Sequence, residues 1–196
     1  MNDTAQTVDR TTLDIGYVFR HGWRLFVEDI GPLLLGTLIA AALTILSLGI
    51  LAGPLFAGLY SMVIGRVRDG RRPEIGDVFS GFDHFWRYFG AALALVVLIG
   101  LAFITIIGGI LLATIWIYVF PLMVDRGMKL GEAMGASKDM VMRAGFWEHL
   151  ALVILLALVD AVAVGPLGLL STPFIIVATG VAFYAAQDKE ELIERS

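Results

Sequence analysis

The sequence predicts an all-α polytopic membrane protein in which six short transmembrane helices form three hairpins, each preceded by an amphipathic interfacial helix. Three observations predict this fold. Of the 196 residues, 58% are hydrophobic and 16% are charged, whereas a soluble domain carries about 25% charged residues. All 14 Lys and Arg residues lie in four short polar segments. The three long stretches between those segments, 30–65, 88–124 and 150–187, contain a single charge, Asp160.

Each apolar stretch is too long for one membrane crossing and long enough for two. A continuous helix over 30–65 would be about 54 Å long, whereas the hydrocarbon core is about 30 Å thick. Turn-forming residues lie near the middle of each stretch, namely Gly49 and Gly53-Pro54, then Gly108-Gly109, then Gly165-Pro166 with Gly168. Because backbone polar groups in hydrocarbon must be satisfied within the segment, we expect every crossing to be helical. The expected helices are 32–50, 54–67, 88–107, 109–124, 148–164 and 169–187.

Three hairpins would place all four polar segments on one side of the membrane. These segments hold every Lys and Arg, so the positive-inside rule predicts that both termini are cytoplasmic. Residues 1–20 are polar and lack an apolar core, so we expect no cleaved signal peptide. The chain contains no Cys, which excludes disulfides, thiolate nucleophiles and Cys-ligated metals.

The polar segment before each hairpin resembles the other two. The sequence Asp14-Ile15-Gly16-Tyr17-Val18-Phe19 matches Glu74-Ile75-Gly76-Asp77-Val78-Phe79, and residues 129–134 match more loosely. Apolar residues recur in these segments at helical spacing, as Ile75, Val78, Phe79 and Phe82 do in the second, which is typical of helices that lie in the membrane interface. We therefore expect a pseudo-threefold parallel repeat with units at about 13–67, 73–124 and 129–187. These units form one membrane domain, 13–187, between a polar tail at 1–12 and a charged tail at 188–196.

The order and spacing of three motifs resemble a family. The motifs are Gly53-Pro54-Leu55 with Gly58-Leu59-Tyr60, then Asp77-Val78-Phe79-Ser80-Gly81-Phe82, then Phe120-Pro121-Leu122-Met123-Val124-Asp125-Arg126-Gly127 followed by Glu132-Ala133 and Ser137. In these motifs the chain is similar to six-helix bacterial integral membrane proteins of unknown function, which are related to the membrane domain fused to some glycerophosphodiester phosphodiesterases. The resemblance spans about residues 14–184. It implies a bacterial cytoplasmic (inner) membrane and the six-helix fold, and it supplies no catalytic residues.

Asp160 is the sharpest candidate for chemistry, because an intramembrane carboxylate favours an ion or proton role. It also lies five residues before Gly165, about 7–8 Å along a helix, where it could be hydrated or could cap a neighbouring helix. That structural interpretation is the alternative to the ion or proton role.

Basic, histidine and tryptophan residues gather where the apolar stretches begin or end. Arg66, Arg68, Arg71 and Arg72 are candidates for contact with anionic lipid headgroups, or they serve only to set topology. Trp23, Trp86 and Trp147 are expected to anchor the chain in the headgroup layer. His21, His84 and His149 could form a metal site or a pH sensor, but interfacial polar roles are favoured because no carboxylate recurs at ligand spacing. We expect no metal and no cofactor.

A stripe of small residues, Gly53, Ala57, Ser61 and Gly65, predicts a helix-packing seam. Packing within the chain is favoured over packing against another subunit. Pro121 is expected to interrupt the fourth helix near Ile117, because proline lacks the N–H that would bond there.

These patterns favour a non-catalytic function. No carboxylate pair or Ser–His arrangement stands at a suggestive spacing, so we expect no enzyme, and the short basic cluster of an acidic chain argues against nucleic acid as a partner. We expect an accessory, scaffold or envelope-associated factor that presents interfacial helices to anionic lipids, to a protein partner or to another copy of itself. The alternative is a small-solute or proton-coupled transporter or channel that uses Asp160.

Overall fold

The computed structural model describes residues 12–162 and 168–194, which fold into helices joined by short turns. The helices are α1 (Ile15–Glu28), α2 (Ile30–Leu46), α3 (Ala52–Asp69), the 3₁₀ helix η1 (Ile75–His84), α4 (Phe85–Ala102), α5 (Ile106–Ile115), α6 (Val119–Asp125), α7 (Leu130–Arg143), α8 (Phe146–Val162) and α9 (Gly168–Glu194). No strand occurs among the described residues. The all-α prediction is therefore confirmed.

Several helical segments are long and apolar enough to cross a membrane. Three qualify as they stand: Ile75–Ala102, Ile106–Asp125 and Leu170–Asp188. The count reaches five if two bent pairs are each taken as one span, α1 with α2 (bent by 87°) and α7 with α8 (bent by 108°). Helix α3 is not among them, because its 18 residues include Arg66, Arg68 and Asp69. These lengths and compositions indicate a membrane protein.

The first hairpin turns where the sequence predicts, and the second turns earlier. Leu48 and Gly49 adopt positive φ angles, 53° and 89°, between α2 and α3, whereas Gly53 and Pro54 begin α3, where proline needs no N–H partner. The second turn is at 103–105 rather than at Gly108-Gly109. The Phe103 ring lies against Gly109, where an added Cβ would overlap it, so this glycine makes room for a side chain and does not form the turn. The third turn, with Gly165 and Pro166, lies outside the described residues.

The second amphipathic segment is a 3₁₀ helix, which changes the face that it buries. The segment is not the α-helix that the spacing predicts, and of the predicted apolar face Val78 is buried whereas Ile75 and Phe79 are exposed. In a 3₁₀ helix the side chains at i and i+3 stand above one another, and the buried residues of η1 are Val78 and Gly81. This narrow ridge packs closely along α3.

The packing follows a cyclic order. Each amphipathic helix packs against the second helix of the preceding hairpin: η1 against α3, α7 against α6, and α1 against α9. The first helix of each hairpin also contacts a helix of the preceding hairpin: α4 contacts α3, α8 contacts α5, and α2 contacts α9. The second helices α3 and α9 each contribute more buried hydrophobic residues than any other described helix, and Met62, Val63, Ile176 and Phe183 are almost fully buried.

Candidate functional site

A buried ion pair forms where α1 bends into α2. Asp29 lies in the break between these helices and is only 6% exposed. Arg66 Nε approaches its Oδ2 at 2.6 Å, although the N–H is not aligned for a hydrogen bond. Arg66 Nη2 donates to Glu28 Oε2 at 2.8 Å, and Nη1 donates to the Gly70 carbonyl at 3.1 Å. The guanidinium therefore ties the bend to the C-terminal end of α3.

The other basic residues of this cluster also bond mainly within the chain. Arg68 Nη1 donates to Asp125 Oδ1 at 2.7 Å, and the Tyr184 hydroxyl donates to the same oxygen at 2.9 Å. Arg68 also bonds Asp69, and this hydrogen bond holds the pKa of the Asp69 carboxyl below its ordinary value. Arg71 Nη1 pairs with Asp77 Oδ2 at 3.0 Å. Of the four arginines predicted to contact lipid, Arg72 is exposed and forms no ion pair with the described residues.

Asp160 lies on an exposed face of α8 and has a hydrogen-bond partner. The Ser171 hydroxyl on α9 donates to Asp160 Oδ1 at 2.8 Å. The two residues lie at similar distances on either side of Gly165 in sequence. Their similar distances from the expected turn, five and six residues, are the signal that could have predicted this pair.

A buried set of hydrogen-bonded polar residues connects the break between α5 and α6 to helices α7 and α8. The backbone N–H of Tyr118 donates to Ser137 Oγ at 3.2 Å, and that hydroxyl donates to the Ile115 carbonyl at 2.7 Å. The break at 116–118 is the interruption that Pro121 predicts. His149, fully buried, bonds the Gly145 carbonyl through Nδ1 and the Tyr118 hydroxyl through Nε2. Because a carbonyl only accepts, Nδ1 carries a proton and donates to Gly145.

The three histidines therefore have separate environments. His149 is buried in the core, whereas His21 stacks on Tyr17 at 5.0 Å between ring centroids and His84 is exposed on η1. Partial burial and the nearby Arg24 lower the pKa of His21. Within residues 12–162 and 168–194, no three His, Asp or Glu side chains are arranged to hold a metal ion.

The three predicted anchor tryptophans are exposed, whereas the stripe of small residues packs against other parts of the chain. Trp23, Trp86 and Trp147 are 58%, 79% and 74% exposed, and their anchoring in a headgroup layer stays a prediction. The stripe faces the same chain: Gly53 lies against the Tyr88 carbonyl, and Gly65 lies against the Arg71 side chain. The closest approaches involve Gly58, which lies against the Val78 backbone, and Gly81, which lies against the Pro54 carbonyl. Neither glycine was singled out by spacing, because each contact joins residues that are distant in sequence.

The comparisons with known proteins identify no relative. No family model, no curated protein and no solved structure matches this chain.

Proposed function

We propose that this chain is a non-catalytic integral membrane protein of the bacterial cytoplasmic membrane, an accessory or scaffold factor that presents cytoplasmic interfacial helices to lipid or protein partners. The observation that carries the proposal is a polar edge of the molecule that is held by three ion pairs. Arg66 pairs with Asp29, Arg68 with Asp125, and Arg71 with Asp77. Arg66 connects α3 to the break between α1 and α2, Arg68 connects the ends of α3 and α6, and Arg71 connects the segment after α3 to η1. The result is a firmly held polar surface beside apolar helices.

The six-span arrangement is part of this proposal. The cyclic packing, in which every unit contacts the second helix of the unit before it, supports three equivalent hairpins about an axis normal to the membrane. We propose that α3 is a span despite its charged last turn, because arginines at a helix end can extend to the interface. The same arrangement is what the resemblance to six-helix bacterial membrane proteins implies, and we propose that relationship on the motifs alone.

The core packing supports a scaffold over a transporter. Aromatic rings fill the centre, where Tyr60 stacks on Phe120 at 6.2 Å between centroids and Tyr118 lies 5.7 Å from Phe183. The Tyr60 hydroxyl is bonded to Thr179. Asp160 lies outside this core on an exposed face of α8. A solute path along the axis would require these rings to separate.

Purification in native lipid tests the proposed function. We expect mass spectrometry of the purified chain to find a retained protein partner, a second copy or enriched anionic lipid. A preparation free of all three would contradict the proposal. So would a solute or proton flux in reconstituted vesicles that is present in the wild type and lost in Asp160→Asn.

Reporter fusions test the orientation. A reporter that is active only outside the cytoplasm should be active when inserted after Ile104, in the turn between α4 and α5. The same reporter inserted after Arg72, between α3 and η1, should be silent. The expectation follows from the distribution of Lys and Arg. The reverse pattern would invert the proposed topology.

A further inference from the structure

A cleft with a polar lining opens between α3, η1, α4 and the end of α6. Its volume is about 230 Å³, several times the roughly 30 Å³ that one water molecule occupies in the liquid. The polar side chains that line it are Ser61, Ser80, His84 and Arg87. We call it the Arg87 cleft. No Asp or Glu is among the described residues that line it, and the neighbouring Asp83 is exposed outside it.

Two carbonyl groups hold the guanidinium of Arg87 in place. Its Nη2 donates to the Met123 carbonyl at 3.1 Å and to the Met128 carbonyl at 2.5 Å. Arginine has five N–H donors, and these bonds use only the two on Nη2. Nη1 forms no hydrogen bond with the described residues, and Nε is buried without a partner. The group is thus a fixed positive charge, and the two N–H groups of Nη1 are left for an anion, which is the condition for pre-organised anion binding.

The cleft has further donors and lies at the polar edge of the molecule. The hydroxyl groups of Ser61 and Ser80 and the imidazole of His84 form no hydrogen bonds within the described residues. Gly127 closes the cleft immediately after the charged end of α6, and Trp86, 79% exposed, begins α4 beside it. Hydroxyl and guanidinium donors without an opposing carboxylate match the oxygens of a phosphate group.

We propose that the Arg87 cleft binds the phosphate group of an anionic ligand, supplied by a phospholipid headgroup or by a soluble phosphate compound. Arg87 provides the charge, and Ser61, Ser80 and His84 provide additional donors. This site is distinct from Arg66, Arg68 and Arg71, whose guanidinium groups are paired with carboxylates of the chain. It depends on the proposed function only in that a lipid ligand requires the cleft to face the headgroup layer.

Binding measurements on the purified full-length chain test the proposal. In detergent micelles, native mass spectrometry compares retention of phosphatidylglycerol with that of diacylglycerol, which has the same acyl chains and no phosphate, and a thermal-shift titration uses inorganic phosphate. We expect the wild type to retain phosphatidylglycerol about tenfold better, the effect of one or two charge-assisted hydrogen bonds. Lipid preference without a phosphate shift identifies a headgroup, and a phosphate shift alone identifies a soluble ligand. Binding of neither would overturn the proposal.

Variants distinguish the cleft from general surface charge. Substitution of Arg87 also removes two helix-end bonds, so the double variant Ser80→Ala/His84→Ala carries the test, since both side chains are exposed and make no described bonds. It should lose most of the tenfold preference while its melting midpoint without ligand is unchanged. Arg72→Gln is the matched control, because it removes an exposed arginine outside the cleft. An equal loss in Arg72→Gln would overturn the proposal, and because micelles have no sidedness, an inverted topology would leave this result unchanged.

Discussion

Gly58→Ala should destabilise the protein more than any other single-methyl addition outside a turn. An added Cβ at this position would overlap the backbone carbonyl of Val78, so α3 and η1 would have to separate. The Val78 carbonyl belongs to the backbone, so it cannot rotate away from the added methyl group as the end of a flexible side chain could. The expected loss is therefore at the upper end of the roughly 1–3 kcal/mol that overpacking costs. For a domain of this size, that corresponds to a fall of about 6–12 °C in the unfolding midpoint.

Fluorescence-detected gel filtration after heating in detergent measures that midpoint. Gly90→Ala is the matched control, because nothing lies within 4 Å of the position where its Cβ would be added on α4. Alanine favours a helix over glycine by about 1 kcal/mol, so this variant should melt at or above the wild-type temperature. If both variants melt alike, the close contact of α3 with η1 contributes nothing to stability.

The helix positions could be predicted because they depend on local hydropathy. The expected helices at 32–50 and 88–107 correspond to α2 and α4, which begin and end within five residues of the prediction. The second turn was misplaced because Gly108 and Gly109 signal a turn in sequence. In the fold they are tolerated within a helix, where Gly109 accommodates the Phe103 ring. In a membrane protein a glycine can either form a turn or make room for a neighbouring side chain within a helix, and only the packing distinguishes these two roles.

The contacts that organise the polar edge could not be predicted in the same way. Asp29 and Arg66 lie 37 residues apart, and their meeting depends on the 87° bend between α1 and α2. Arg87 reaches the Met123 and Met128 carbonyls only because α4 begins beside the end of α6. Arg66 looks free when read as a sequence, since a carboxylate partner 37 residues away leaves no local trace. Charge patterns predict which face is polar, and tertiary packing decides which charges are available to ligands.

Arg66→Gln should remove about 3–5 kcal/mol of stability, because it leaves the Asp29 carboxylate buried without its cation. Asp29 is 6% exposed, and Arg66 is the cation that the described residues bring to it. The variant also loses the bonds to Glu28 and to the Gly70 carbonyl, which connect α1 to the end of α3. We expect the unfolding midpoint to fall sharply and α1 to become accessible to protease while the hairpins stay protected.

The double variant Arg66→Gln/Asp29→Asn separates the buried charge from the lost bonds. If the unpaired carboxylate dominates, neutralising it restores most of the loss, as removing both members of a buried pair costs far less than removing one. Arg24→Gln is the control, because Arg24 lies 3.8 Å from Glu28 and its side chain is 64% exposed. A surface pair of this kind contributes about 0–1 kcal/mol. Two results would contradict this prediction: an equal melting midpoint for Arg66→Gln and Arg24→Gln, or no gain in midpoint when Asp29→Asn is added to Arg66→Gln. Either result would show that the bend between α1 and α2 is held by apolar packing alone.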